Sequence, residues 1–156
     1  MAQSGRWWSA RAGTSEHTLR RALAGDRSIG FGNVEALLVA ADCKFTCRFP
    51  NDEGGYTVTV LNFNRPLREA VDCLLWVAER LGRSGVEWAK KANVSESTIR
   101  RLRKRDPNIG IGILARLLDS ASCSVARDYR REPPLVIDPD DFSADNSNLE
   151  LTLPRN

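Results

Sequence analysis

The residues Asn93-Val94-Ser95-Glu96-Ser97-Thr98-Ile99-Arg100-Arg101-Leu102-Arg103-Lys104-Arg105 dictate a short amphipathic helix with a strongly basic end. Ser95 is a good N-cap, its hydroxyl free to accept from the orphan amides of the first turn, and Glu96 complements the positive end of the helix dipole. The helix is therefore expected to start at Glu96. Ile99 and Leu102 share one face, while Glu96, Ser97, Arg100, Arg101 and Lys104 spread over the remainder. One side packs and the other is free to touch something. Five of the six residues from Arg100 to Arg105 are basic, more positive charge than a helix C-terminus needs, and a polyanion is the natural counterpart.

Upstream, Gly85-Val86-Glu87-Trp88-Ala89-Lys90-Lys91-Ala92 has apolar residues at helical spacing, followed at once by Asn93 and the Ser95 cap. That reads as helix, tight turn, helix. Asn93 suits a turn that needs a left-handed residue. Ala89 suits the crossing point, and Trp88, Ala92, Val94, Ile99 and Leu102 form the apolar wedge.

The run Trp88 to Leu102, followed by Ile109-Gly110-Ile111-Gly112-Ile113-Leu114-Ala115-Arg116-Leu117-Leu118, resembles the helix-turn-helix of the lambda-repressor-like (Xre) regulators. Asn93 replaces the more usual turn Gly, and Trp88 is bulkier than the common Leu. The resemblance implies a mostly helical fold and double-stranded DNA as the partner.

The motif occurs twice. A shift of 80 positions aligns Trp8-Ser9-Ala10-Arg11-Ala12-Gly13-Thr14-Ser15-Glu16-His17-Thr18-Leu19-Arg20-Arg21 with Trp88 to Arg101 without a gap. The match runs on through Asp26/Asp106, Ile29/Ile109, Gly30/Gly110, Gly32/Gly112, Leu37/Leu117, Leu38/Leu118, Ala41/Ala121 and Cys43/Cys123, and back to Ser4/Ser84 and Gly5/Gly85. Gly13 stands where Asn93 does, so both copies put a residue tolerant of positive φ at the turn.

In proteins of this shape the second helix enters the major groove, where its outward face meets base edges while caps and flanking cations hold phosphates. The resemblance thus implies Glu96, Ser97 and Arg101 as base readers, with Glu16, His17 and Arg21 their counterparts in copy one. Arg101 can fork to guanine O6 and N7, and Glu96 can accept from a cytosine amine. Ser95, Thr98, Arg100, Arg103, Lys104 and Arg105, with Ser15, Thr18 and Arg20, are better placed for the DNA backbone.

Taken in order, Gly5 to Ala12 is expected as the first helix and Glu16 to about Ala24 as the second, capped by Ser15 and ended by Gly25. Asn33 is expected to cap a helix over 34–41. From Cys43 the period changes to two, and 43–49 and 56–61 flank a turn-rich 50–55, which is a β-hairpin. Such a hairpin packs on helices or pairs with another strand; its edge, or a helix face, is also a candidate contact for a homodimer. Residues 62–66 form a linker between a first unit, 1–61, and a second, 67–137. Leu67 to Leu81 supplies the second copy with a leading helix that the first lacks. A helix from about Ile113, a strand around Cys123 to Tyr129 and a return strand Leu135-Val136-Ile137 complete it. The fold class is mostly α with small β-hairpins: two tandem helix-turn-helix units, each followed by a strand or hairpin. Residues 138–156 read as an acidic, disordered tail.

The formal net charge of the 156 residues is +3, yet six acidic and only two basic side chains lie beyond Arg130, which leaves about +7 on the rest. The part expected to fold is thus distinctly basic. No run approaches the ~18 apolar residues of a membrane helix, and the first residues have no signal-peptide core, so the cytoplasm, at the nucleoid, is the expected location. Cys43, Cys47, Cys73 and Cys123 show none of the close CxxC pairs of structural zinc sites and the single His is remote, so no metal or cofactor is expected. Matched Cys43 and Cys123 read as small buried apolar side chains. Trp8 and Trp88 read as core residues, whereas Trp7 is open to an interface. No nucleophile elbow, phosphate loop or small-molecule site is evident, which argues against an enzyme. The leading expectation is a sequence-specific transcription regulator, a repressor, since no ligand-binding or activating domain is visible. The alternative is a protein-interaction module, an antitoxin or anti-regulator, whose helix-turn-helix units face a protein.

Overall fold

The computed structural model describes residues 4–128. The expected return strand Leu135–Ile137 and the acidic tail lie outside them. Among the described residues seven helices and three strands are formed: α1 Gly5–Ala12, α2 Glu16–Leu23, α3 Phe31–Ala40, β1 Phe45–Pro50, β2 Tyr56–Val60, α4 Pro66–Leu81, α5 Gly85–Ala92, α6 Glu96–Arg103, α7 Ile111–Ser120 and β3 Ser124–Arg127. The protein is mostly helical, with one small antiparallel sheet of order β2-β1-β3.

Local chemistry fixes the first two helices of each copy. Ser4, Ser15, Ser84 and Ser95 each accept from an amide three residues on, satisfying a first-turn donor. Gly13 at φ +69° and Asn93 at φ +56° end α1 and α5 in the left-handed region, as expected. The correspondence extends to two more left-handed pairs: Gly25 with Arg105, and Asp42 with Ser122.

α3 and α7 begin earlier than expected. α3 starts at Phe31 with Gly30 as cap, so Asn33 lies inside the first turn, and α7 starts at Ile111. Their first amides are satisfied across the molecule. Phe31 N–H donates to Ile109 O at 2.8 Å and Ile111 N–H to Ile29 O at 2.8 Å; Gly32 N–H donates to Pro107 O at 3.0 Å and Gly112 N–H to Arg27 O at 3.0 Å. No side-chain cap is needed.

These four bonds are reciprocal, and each exchanges one copy for the other. Gly30 and Gly110, equivalent in the repeat, form an antiparallel bridge with each other. β3, expected to start a hairpin of its own, pairs instead with β1, and in that register Thr46 lies opposite Ala126, again its own equivalent. Two independent contacts therefore put a pseudo-twofold axis through the molecule, passing Gly30/Gly110 and Thr46/Ala126. The glycines are needed for this approach. A Cβ on Gly30 would meet Pro107 O at 2.7 Å, and one on Gly32 would meet Pro107 Cβ at 2.6 Å.

One core draws on both copies and the helix between them: Phe31, Phe45 and Cys47, then Leu67, Val71 and Leu74, then Trp88, Ile99, Leu102, Leu114, Leu117 and Val125. α4 packs on α3 and β1, while its Asp72 Oδ1 accepts from Arg105 Nε at 2.6 Å. Its N-terminus has no side-chain cap of its own. Instead the buried Glu35 of α3 accepts from the Arg68 amide at 2.8 Å, with Arg68 Nε 3.2 Å away. Burial pushes the Glu35 carboxyl above its usual range, against the pull of these donors.

Cys47 is buried beside Cys73 of α4, and their shared hydrogen bond together with burial raises the Cys47 thiol. Cys43 and Cys123 are buried as expected and make the same contact, their thiols donating to Ala41 O and Ala121 O at 3.8 and 3.7 Å. Trp88 is 2% exposed and its indole donates to Ser120 Oγ at 3.0 Å, whereas Trp8 is half-buried and donates to Leu37 O at 2.8 Å. No helix among the described residues is long and apolar enough to cross a membrane.

Candidate nucleic-acid interface

α2 and α6 are held to the body by their inward residues. Ile99 and Leu102 are buried in α6 and Leu19 in α2, with half-buried Ala22 at the place of Leu102. Thr98 and Thr18 also face inward. Thr98 is 8% exposed and its hydroxyl pairs with Ser95 Oγ at 2.9 Å; Thr18 makes the same bond to Ser15 at 3.0 Å. Both threonines therefore brace the cap and leave the outward surface to their neighbours.

That surface comprises Glu16, His17 and Arg20 on α2, and Glu96, Ser97, Arg100, Arg101 and Arg103 on α6, extended by Lys104 and Arg105. Ser15 and Ser95 are exposed at the starts of the helices. Each helix exposes its own set, and two arginines are tied back in the same way. Arg21 Nε donates to Asp26 Oδ2 and Arg101 Nε to Asp106 Oδ2, both at 2.7 Å. Each aspartate also turns the following loop, accepting from Ser28 N–H at 2.9 Å and Asn108 N–H at 2.9 Å. The Ser28 hydroxyl and amide, then Arg21, hold the Asp26 carboxyl down at about 2. Arg101 and then the Asn108 amide hold Asp106 below the usual range.

Arg21 gives a second nitrogen, Nη2, to Ser28 Oγ at 2.9 Å. At Arg101, among the described residues, only Nε is engaged. The aspartates were not singled out as site residues from the sequence. A signal existed, since Arg and Asp recur five residues apart in both copies.

The two helices differ in charge. Among the described residues Arg100, Arg103 and Lys104 have no ion pair, and Arg105 has Asp72. Copy one has Leu23, Ala24 and Gly25 at the places of Arg103, Lys104 and Arg105, and Leu23 is 65% exposed. Arg20 lies 3.8 Å from Glu16. Arg105 holds a left-handed conformation that Gly25 adopts without a Cβ, so the cation sits where an L residue is disfavoured.

Trp7 is exposed, with the Arg11 guanidinium 5.1 Å from its ring centroid. No group of three His, Cys, Asp or Glu side chains suited to a metal occurs among the described residues. Comparison of the chain with protein-family models, curated proteins and solved structures finds no match.

Proposed function

We propose that this chain is a sequence-specific DNA-binding transcription regulator, a repressor acting by occupying its site at the nucleoid. In this reading α1–α2 and α5–α6 are two lambda-repressor-like helix-turn-helix units. The observation that carries it is the outward face of α6: a capped, firmly packed helix that presents Arg100, Arg101, Arg103 and Lys104 to solvent. Arg101 is pre-oriented by Asp106 and can fork to guanine with its terminal nitrogens, a contact worth about 1–3 kcal/mol of discrimination. Glu96 and Ser97 meet neighbouring base edges. Ser95, Arg100, Arg103, Lys104 and Arg105 hold phosphates, while Thr98 supports the cap. In copy one Glu16, His17 and Arg21 read bases, and Ser15 and Arg20 hold the backbone with Thr18 as brace.

A second reading, contact with a protein partner, is favoured by one feature: exposed Leu23 at the place of Arg103. Salt separates the two. Binding to duplexes selected from a random pool, followed by anisotropy across a salt series, should fall with a log–log slope of about −0.9 per phosphate contact. Arg100→Ala with Lys104→Ala should flatten that slope. Absence of enrichment, or salt-independent binding, refutes the proposal.

A further inference from the structure

We infer that one chain, without a second copy, binds a single duplex whose two half-sites are inverted and unequal, the stronger lying under α6. The inference rests on the reading of α2 and α6 as DNA-contacting helices.

The orientation follows from symmetry. A tandem repeat along a chain is silent on whether its two heads are related by translation or by rotation. Here the Gly30/Gly110 bridge and the Thr46/Ala126 pair each lie across from their own equivalents, and the Phe31–Ile109 and Ile111–Ile29 bonds are reciprocal. Only a rotation by half a turn does this. A twofold axis keeps the direction along itself, so α2 and α6 face the same way relative to it. Duplex DNA has twofold axes of its own, perpendicular to the helix, and inverted half-sites are related by one of them. Directly repeated half-sites are related by translation along the duplex, and two heads related by rotation cannot meet them equivalently. Segments 26–30 and 106–110, which follow α2 and α6, meet at the protein axis, so the two helix C-termini lead to it from either side. A second copy is not needed to supply the other head. β3 already fills the place on β1 that the equivalent strand of a partner would take.

The inequality follows from charge. Arg103, Lys104 and Arg105 stand at the repeat positions of Leu23, Ala24 and Gly25, and Arg21 is held by two bonds where Arg101 is held by one. The half under α6 therefore receives more phosphate contacts and a freer guanidinium.

Sequences selected by the full chain from a random duplex pool should show an inverted repeat with one half more strongly constrained. The same duplex rebuilt with its halves in direct orientation should bind at least 10-fold more weakly, and analytical ultracentrifugation should give one chain per duplex. Leu23→Arg, which gives copy one the cation of Arg103, should tighten binding and steepen the log–log salt slope by about 0.9. Arg103→Leu should do the reverse. Salt-sensitive binding that ignores half-site orientation, two chains on the inverted duplex, or a silent Leu23→Arg overturns this inference and leaves DNA binding standing. Absence of any salt-sensitive duplex binding overturns both.

Discussion

Gly30→Ala tests whether the two copies are welded at the axis. Gly30 has φ −56° and ψ 138°, a conformation open to any residue, so alanine brings no backbone strain. What it brings is a Cβ 2.7 Å from Pro107 O and 3.1 Å from Asn108 Cα. Both are backbone atoms of the other copy and cannot swing aside. Overpacking of this kind costs about 1–3 kcal/mol. If the copies separate enough to relieve it, the two reciprocal bonds at 2.8 Å between Phe31 and Ile109 and between Ile111 and Ile29 lengthen, at about 0.5–1.5 kcal/mol each. The expected loss is therefore roughly 2–6 kcal/mol, read as a lower urea midpoint at unchanged m-value. The matched control is Gly13→Ala. Its Cβ meets nothing within 4 Å, and φ +69° is its only penalty, about 1–2 kcal/mol. Hydrogen exchange at the Phe31 and Ile111 amides should accelerate in Gly30→Ala and not in Gly13→Ala. A wild-type midpoint for Gly30→Ala, or a larger loss in the control, would refute the packed axis.

Three further outcomes are expected. Arg101→Ala should relax one base preference in selected DNA and Arg21→Ala a different, weaker one, since Arg21 is the more fully engaged within the protein; an Arg21→Ala that leaves affinity and base preference untouched while Arg101→Ala abolishes them would contradict the two-headed reading. Asp26 and Asp106 have carboxyls held below their unfolded values, so their contribution is present above about pH 4 and drains as pH falls through about 2 for Asp26. Glu35 is raised, so its contribution is full below its ordinary value and is lost as pH rises through the folded one; urea midpoints of Asp26→Asn/Asp106→Asn should flatten the acid limb, and those of Glu35→Gln the limb above it. Arg105→Gly relieves a left-handed arginine, by about 1–2 kcal/mol, and this is largely offset by the exposed Asp72 pair and by glycine entropy. Its midpoint should move by less than about 1.5 kcal/mol by that balance, while the salt slope of DNA binding weakens by about 0.9.

Boundaries set by residues beside them are largely legible in the sequence, and those set at a distance are not. Gly5–Ala12, Glu16, Gly85–Ala92 and Glu96 are set by serine caps and by Gly13 and Asn93, all within four residues of the boundary they fix. α3 and α7 were expected to start two or three residues late, because the acceptors of their first amides lie about 80 residues away and leave no mark beside the helix. Alternation at 43–49 and 123–129 announced strands, but alternation is silent about partners, and β3 went to β1. Gly30/Gly110 and Gly32/Gly112 were visible as matched glycines without an assigned purpose, and the purpose is the axis. At the candidate site, exposure of Glu96, Ser97, Arg100 and Arg101 follows from helical spacing. The tether of Arg101 by Asp106 depends on how the loop after α6 turns back, which spacing alone does not give.

The symmetry of the backbone and the asymmetry of the surface belong to one physical argument. In a dimer of identical chains, any change at one recognition helix appears at the other, so the two half-sites must stay alike. Joining the copies through α4 removes that constraint and, on the proposed DNA-binding reading, would make the second head's arrival an intramolecular event independent of protein concentration. Where the backbones approach most closely at the axis the residues are kept in both copies: Ile29/Ile109, Gly30/Gly110 and Gly32/Gly112 are identical pairs, whereas Thr46/Ala126 on the sheet differ. Positions on the outward faces are free to diverge, and they do, His17 against Ser97 and Leu23-Ala24-Gly25 against Arg103-Lys104-Arg105. The helix that makes the fusion also takes sides: its Asp72 holds Arg105 in copy two, while its N-terminus is capped by Glu35 of copy one. Loosening α4 should therefore be felt at both heads together, whereas a change at either outward face should be felt at that head alone.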